Sequence, residues 1–187
     1  FPVPFRENLF TAKVTTTASP AHYLAVRYSH DDNSQPSGAS ATTVHSAWST
    51  SSNTFDSVNL NHNWITGRAS LNEFVFQYSR FSNDTPVTAA GPTLQFPNGV
   101  IAGGSPTAPQ ATQQEKWQYR DDFSWIRSGF GLSHQFRTGV NWIHEPRLFA
   151  ETASFTSGFF QLRDNDINGP VRRILQVGGN VSSNIPL

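Results

Sequence analysis

The six histidines, His22, His30, His45, His62, His134 and His144, are the first residues that could do chemistry. A zinc site built from local sequence needs an HxH or HExxH spacing, which aims two imidazoles at one point. Neither spacing occurs, and His144-Glu145-Pro146 runs into a proline rather than a zinc-binding helix. These histidines read as strand-end and loop residues. Asp31-Asp32-Asn33 offers hard oxygen ligands, but a calcium loop alternates its ligands with other residues and closes on a distal Glu. A solvated loop tip is the plainer reading. Glu115, Asp121 and Asp122 could pair as glycosidase carboxylates; beside Arg120 and Arg137 they read better as paired charges on a wet wall. Gly103-Gly104 has no strand–helix unit after it, so no phosphate cradle is expected. No GxSxG elbow occurs among the serines, and the lack of cysteine removes thiolate nucleophiles, disulfides and Cys-type zinc sites. The sequence leads to no catalytic residue, no metal and no cofactor, and the chain does not read as an enzyme.

The elements that would position these residues are strands. The chain has 187 residues, enough for one domain, with 13 Lys+Arg against 13 Asp+Glu. Zero net charge gives no basic field, so nucleic acid is not an expected partner. Aromatic residues reach 13% while charged residues are only 14%, well under the usual quarter. Such a chain need not bury its apolar surface in one compact core. The longest apolar run is Tyr23–Val26, too short for a transmembrane helix. The opening FPVPFRENLF has neither the basic nor the apolar region of a secretory signal. With no initiator Met, it reads as a processed product or a piece of a longer chain.

Period-two alternation recurs, and helical periodicity is weak. Phe10, Ala12 and Val14 oppose Thr11, Lys13 and Thr15; Leu24, Val26 and Tyr28 oppose Ala25, Arg27 and Ser29. Val58, Leu60, His62 and Trp64 oppose Ser57, Asn59, Asn61 and Asn63, and Phe74, Phe76 and Tyr78 oppose Glu73, Val75 and Gln77. Trp117, Tyr119, Phe123 and Trp125 oppose Lys116, Gln118, Arg120, Asp122 and Ser124, and Phe136, Val140 and Trp142 oppose Gln135, Arg137 and Asn141. A seventh strand is expected near Ala153–Leu162 and an eighth near Arg172–Gly178. Asp121 shares the apolar parity of Tyr119 and Phe123, which calls for a bulge or a register shift there.

The connections alternate in length. Thr17–Pro20, Ile65–Arg68 and Arg127–Phe130 read as short turns. Asp31–Thr54, rich in Ser and Thr, and Ser82–Gln114, with five prolines, read as long loops. Short turns at one end and long loops at the other mark an outer-membrane β-barrel. Strands of about ten residues match a tilted membrane span. Tyr23, Trp64 and Trp125 by the short turns, with Tyr28, Tyr78, Trp117 and Trp142 towards the long loops, would form the two interfacial girdles. Lys13, Arg27, Asn59, Asn61, Glu73, Gln77, Arg120, Asp122 and Arg137 would line a wet lumen. The expected fold is all-β, an antiparallel up-and-down meander and a partial segment of a large barrel over residues 1–187. A secreted carbohydrate-binding or carbohydrate-active β-sandwich also alternates in this way and stays open as the alternative.

ENLFTAKVTTTASPAHYLAVRYSHDD and VNLNHNWITGRASLNEFVFQYSRFSND resemble early barrel strands of TonB-dependent outer-membrane receptors, in the Oar-like group that carries a carboxypeptidase-regulatory-like domain. QEKWQYRDDFSW and GLSHQFRTGVNWIHEPRLF are similar to further strands of the same barrels. The resemblance covers roughly residues 5–162. It implies a bacterial outer-membrane transporter for an extracellular ligand, with a 22-stranded barrel, a plug and a TonB-contacting box. Six to eight strands and no plug or box mark this chain as a barrel segment. Its implied partners are outer-membrane lipid, the remaining barrel strands and plug of a parent protein, and TonB through an N-terminal region not in this chain. The long loops would then face outwards. Phe96, between Gln95 and Pro97 in the proline-rich loop, is the residue expected to touch ligand, because the prolines restrict the free loop and Leu94, Val100 and Ile101 give it apolar matter.

Overall fold

The computed structural model describes residues 2–154, 158–176 and 179–184. Chain order gives β1 (Arg6–Ser19), β2 (His22–Ser37), a 3-10 turn (His45–Ala47), β3 (Ser49–Gly67) and β4 (Ser70–Thr85). Two short strands follow, β5 (Thr93–Gln95) and β6 (Ile101–Gly103), then the long β7 (Gln110–Gly129) and β8 (Leu132–Ser154). The last are β9 (Phe159–Leu162), β10 (Val171–Gln176) and β11 (Gly179–Asn184). Seven form one sheet in the order β1-β2-β3-β4-β7-β8-β11, and four form a second in the order β10-β9-β5-β6. All neighbours in the large sheet are antiparallel, as the alternation predicts.

Pairing register fixes the faces, because residues directly opposite in a sheet share one side. Val14, Val26, Leu60, Phe76, Tyr119 and Trp142 form one continuous row. Lys13, Arg27, Asn59, Gln77 and Gln118 form the adjacent row on the other side. The expected division into an aromatic face and a polar face therefore holds across five hairpin-paired strands.

Other expectations need correction. The strands run past the predicted turns, so the tight connections are Pro20-Ala21, Arg68-Ala69 and Phe130-Gly131. Phe130 (φ 53°) and Gly131 (φ 77°) both take the left-handed backbone that a two-residue hairpin requires. Beyond the alternating spans, the Ser/Thr/Asn-rich stretches expected as loops pair as strand: Asp31–Ser37 lies against Ser49–Phe55 residue for residue. The first long connection is thus only 38–48, and the second, 86–109, carries the β5–β6 hairpin. Register is unbroken through Asp121, which faces Phe74 and Val140, so no bulge sits there. The shift falls instead between Glu115 and Trp117, opposite 144–147. Pro146 lies in that stretch, where a missing N–H breaks no regular ladder. Finally, β9 and β10 occupy the places of the seventh and eighth strands but join the small sheet. The seventh strand of the large sheet is β11, paired with β8. Residues 155–157, 177 and 178 of those two expected strands lie outside the described residues.

The small sheet sits at the long-connection end. β5 pairs β6 antiparallel and β9 in parallel. The 38–48 connection bridges to β6 through Val44 N–H to Ile101 O at 2.8 Å and Ile101 N–H to Thr42 O at 2.8 Å. Buried side chains concentrate at that end: Ala47, Ala108, Phe159, Leu162, Thr93 and Ser105, with Ser49 and Thr85 at the adjoining ends of β3 and β4, whereas Ala25 lies further along the large sheet. The molecule is an open wall with a packed cap at one end.

Candidate functional site

The aromatic face is a band with charged limits. Its rings touch across strands: Tyr78 and Trp117 at 4.5 Å between centroids, Phe76 and Tyr119 at 5.1 Å, Tyr119 and Trp142 at 5.4 Å, Trp125 and Phe136 at 5.3 Å. Towards the cap the next row on this face is His30, Asp56, Arg80, Glu115 and Arg147. Tyr28 donates from its hydroxyl to Asp56 Oδ1 at 2.8 Å, and His30 Nδ1 lies 2.8 Å from the same oxygen. At the other end the face reaches Arg127, paired with His134. From Glu115 to Arg127 the strand advances about 40 Å at about 3.3 Å per residue. With a tilt of about 45° that is a height of about 30 Å, enough to contain an apolar band about 25 Å tall. Trp142 is 52% exposed and Val140 64% exposed, so among the described residues no second sheet covers this band.

Two polar pairs interrupt it, one midway along the band on β7 and one near the short-turn end. Asn72 Nδ2 donates to Asp121 Oδ1 at 2.7 Å, which explains how a carboxylate sits at an apolar position without a bulge. His22 and His62, on neighbouring strands, bring Nδ1 and Nε2 within 3.0 Å, and Trp64 stacks on His22 at 5.6 Å. Sequence spacing could not show this pair, since 40 residues separate its members and only the β2–β3 register joins them.

The polar face gathers the charges expected on a lumen wall. Arg137 lies 3.0 Å from Asp122 Oδ2 and 3.6 Å from Glu73 Oε2, while Arg120 reaches the same Asp122 oxygen at 3.3 Å. Glu115 is elsewhere, on the aromatic side with Arg80 at 4.0 Å, so the three acids imagined as glycosidase carboxylates do not share a face. Nearer the cap, Asn53 donates to Asn33 at 2.9 Å and Asn83 to Asn53 at 2.8 Å, an amide ladder across three strands. Asn33 also donates to Asp31 Oδ1 at 3.3 Å, which uses the Asp-Asp-Asn run internally.

In the cap, Phe96 stands at the β5–β6 turn, half-buried, closed by Phe96 N–H to Val100 O and Gly99 N–H to Phe96 O, each at 2.9 Å. It borders an open cleft of about 230 Å³ with Gln95, Pro97, Gln161, Leu162 and Arg172. Gln161 donates to Gln95 at 2.7 Å across the β5–β9 pairing. The sequence offers no signal that residues 95 and 161 meet. Gly103 and Gly104 also have a structural role. A Cβ on Gly103 would strike the backbone of Pro92, and Thr93 Oγ1 donates to Gly104 O at 2.8 Å. Among the described residues, no group of three or more His, Asp or Glu converges as a metal site.

An aromatic band of membrane height, a polar opposite face and tight turns opposite a loop cap define an outer-membrane β-barrel wall. The chain belongs to the outer membrane β-barrel domain family, whose model matches residues 2–174. It is similar in structure to the outer membrane transporter YddB from Escherichia coli, with a TM-score of 0.56 at 12% identity. That match covers 95% of this chain and 24% of that one, so the chain spans about a quarter of the transporter's length. No curated protein sequence matches it. The aromatic face is the lipid-facing one, and the protein is of the bacterial outer membrane.

Proposed function

We propose that this chain is a wall segment of a TonB-dependent receptor of the Oar-like group, carrying outer loops that take up an extracellular ligand. The observation that carries the reading is the cap. The β5–β6 hairpin of connection 86–109 and the β9–β10 hairpin assemble into one sheet at the end opposite the tight turns, and connection 38–48 hydrogen-bonds to its β6. Loops that only link strands have no reason to order one another, whereas ordered loops on a rigid wall are what a binding mouth needs. Phe96 is the ligand contact of this reading, at the rim of the cleft. The role is one of binding and passage, without catalysis; energy would come from TonB acting on the plug of the parent protein. The soluble sandwich alternative requires a sheet packed on the aromatic face, and there is none among the described residues.

The test is deletion of Pro92–Pro109 from the intact parent protein. Ligand uptake should fall while the barrel still assembles in the outer membrane, and uptake unchanged by the deletion would remove this loop from the mechanism. Uptake that persists in cells lacking TonB would separate the barrel assignment, which stands, from the receptor class, which would fall.

A further inference from the structure

The cleft in the cap carries polar groups that the fold leaves unused. Gln161 Nε2 donates to Gln95 Oε1 at 2.7 Å, and both amides are half-buried. Each still has a group to give, so the pair leaves an acceptor on Gln161 and a donor on Gln95 for whatever enters the cleft they line. Arg172 is the third such group. The β9–β10 ladder shifts between Val171 and Arg173, and the residue it skips is Arg172. A bulge re-aims the side chain it frees, and Arg172 borders the cleft. Its side chain is exposed and makes no ion pair among the described residues. Asp164 and Asp166, in the turn between β9 and β10, are occupied by their own backbone. Asp166 N–H donates to Asp164 Oδ1 at 3.2 Å and Asn168 N–H to Asp166 Oδ1 at 3.0 Å, and neither carboxylate lines the cleft. The lining therefore holds one formal charge, and it is positive.

The rest of the lining is mainly apolar, with Phe96 and Pro97 on the β5–β6 turn and the buried Leu162 on β9. Asn98 N–H reaches Asn165 Oδ1 at 3.3 Å, which ties the β5–β6 turn to the β9–β10 turn and holds the two sides of the cleft together. At about 230 Å³ the space is below the range of whole-ligand pockets, so it takes one residue-sized group of a larger molecule. A guanidinium binds a carboxylate through two parallel hydrogen bonds. A donor beside an acceptor matches the C=O and N–H of a peptide unit, and an apolar wall matches an aliphatic side chain. The end of a peptide chain has all three. We propose, resting on the reading of the cap as a binding mouth, that this cleft takes the apolar C-terminal residue of a peptide. Its carboxylate lies on Arg172, its amide against Gln95 and Gln161, and its side chain on Phe96, Pro97 and Leu162. An acidic sugar would satisfy the guanidinium but would bring hydroxyls, not an apolar side chain, to Leu162.

The experiment uses the intact parent barrel in detergent micelles and calorimetric titration with three probes: acetyl-Ala-Ala-Leu with a free C-terminus, the same peptide as its C-terminal amide, and galacturonate. The free acid should bind at least about tenfold tighter than the amide, the loss expected when a hydrogen-bonded charge is removed. Arg172→Gln should erase that preference and Arg172→Lys should keep part of it. Arg173→Gln, which removes a neighbouring guanidinium outside the cleft lining, should leave it intact. Phe96→Ala should weaken acetyl-Ala-Ala-Leu more than acetyl-Ala-Ala-Gly. Acid and amide bound alike or not at all, galacturonate bound in preference to peptide, or a preference untouched by Arg172→Gln would overturn the proposal. Failure of the receptor reading gives a different result. An acid preference kept in micelles, while cells lacking TonB take up the same labelled peptide unimpaired, would fell the receptor class alone. No preference in micelles, while deletion of Pro92–Pro109 still lowers TonB-dependent uptake, would fell this proposal alone.

Discussion

Gly139 lies directly opposite Asp122 on the polar face, and its lack of a side chain leaves room for the carboxylate that Arg120 and Arg137 share. A Cβ there would stand 2.7 Å from the backbone oxygen of Asp121 and run into the Asp122 side chain. Gly139→Val should therefore force Asp122 aside and separate both ion pairs. Exposed pairs contribute little, about 0–1 kcal/mol each, so the larger part of the loss is steric strain of about 1–3 kcal/mol. Urea unfolding of the parent barrel in micelles should show that drop, while Thr138→Val, one residue away on the lipid side, should leave the midpoint within about 0.5 kcal/mol. Parity alone placed Glu73, Asp122 and Arg137 on one side. Which carboxylate meets which guanidinium depends on strand register, and no local pattern encodes that. The same limit hid His22 from His62 and Asn72 from Asp121.

At the scale of elements, the alternating spans were legible because a membrane enforces alternation there: a one-residue slip would turn every ring towards water. Phe74, Phe76 and Tyr78 followed that rule. Past the band no such constraint acts, so Asp31–Ser37 and Ser49–Thr54 pair by backbone hydrogen bonds with mostly hydroxyl and amide side chains. Polar composition resembles a loop in sequence, which is why β2 was expected to end early, at His30, and β3 to begin late, at Phe55. In the small sheet β9 and β10 fall where strands were expected, but β5 and β6 were illegible for a related reason: strands of three residues leave no periodic trace, and the parallel pairing of β5 with β9 has no local signal. The asymmetry between the faces is directly testable. Phe76→Arg puts a guanidinium into the middle of the lipid-facing band and should cost about 2–4 kcal/mol. Gln77→Arg, its neighbour on the polar face, should cost under about 1 kcal/mol, since that side chain stays in a wet lumen. Equal losses in the two variants would mean that lipid does not contact the face of Phe76.

For the whole molecule the decisive feature is that the large sheet has two ends. β1 pairs only with β2, and β11 pairs only with β8 among the described residues, so each end presents backbone N–H and C=O groups to no neighbour. In a hydrocarbon layer every such group must be satisfied within the protein, and only a closed barrel does that for strands. In water the same edges are templates for another chain, and the exposed band of Phe10, Val14, Val140 and Trp142 adds an apolar surface with no partner among the described residues. Among the described residues the buried core is too small to offset this, lying mostly in the cap and made of a few side chains such as Phe159 and Leu162. Both routes lead to the same expectation. Residues 1–187 expressed alone in buffer should sediment as aggregates or lack a cooperative melt, and should need detergent or the missing strands to order. Analytical ultracentrifugation with circular dichroism melting decides it. A monodisperse monomer that unfolds cooperatively without detergent would show that the open sheet closes by some other means, and that its aromatic face is not built for lipid.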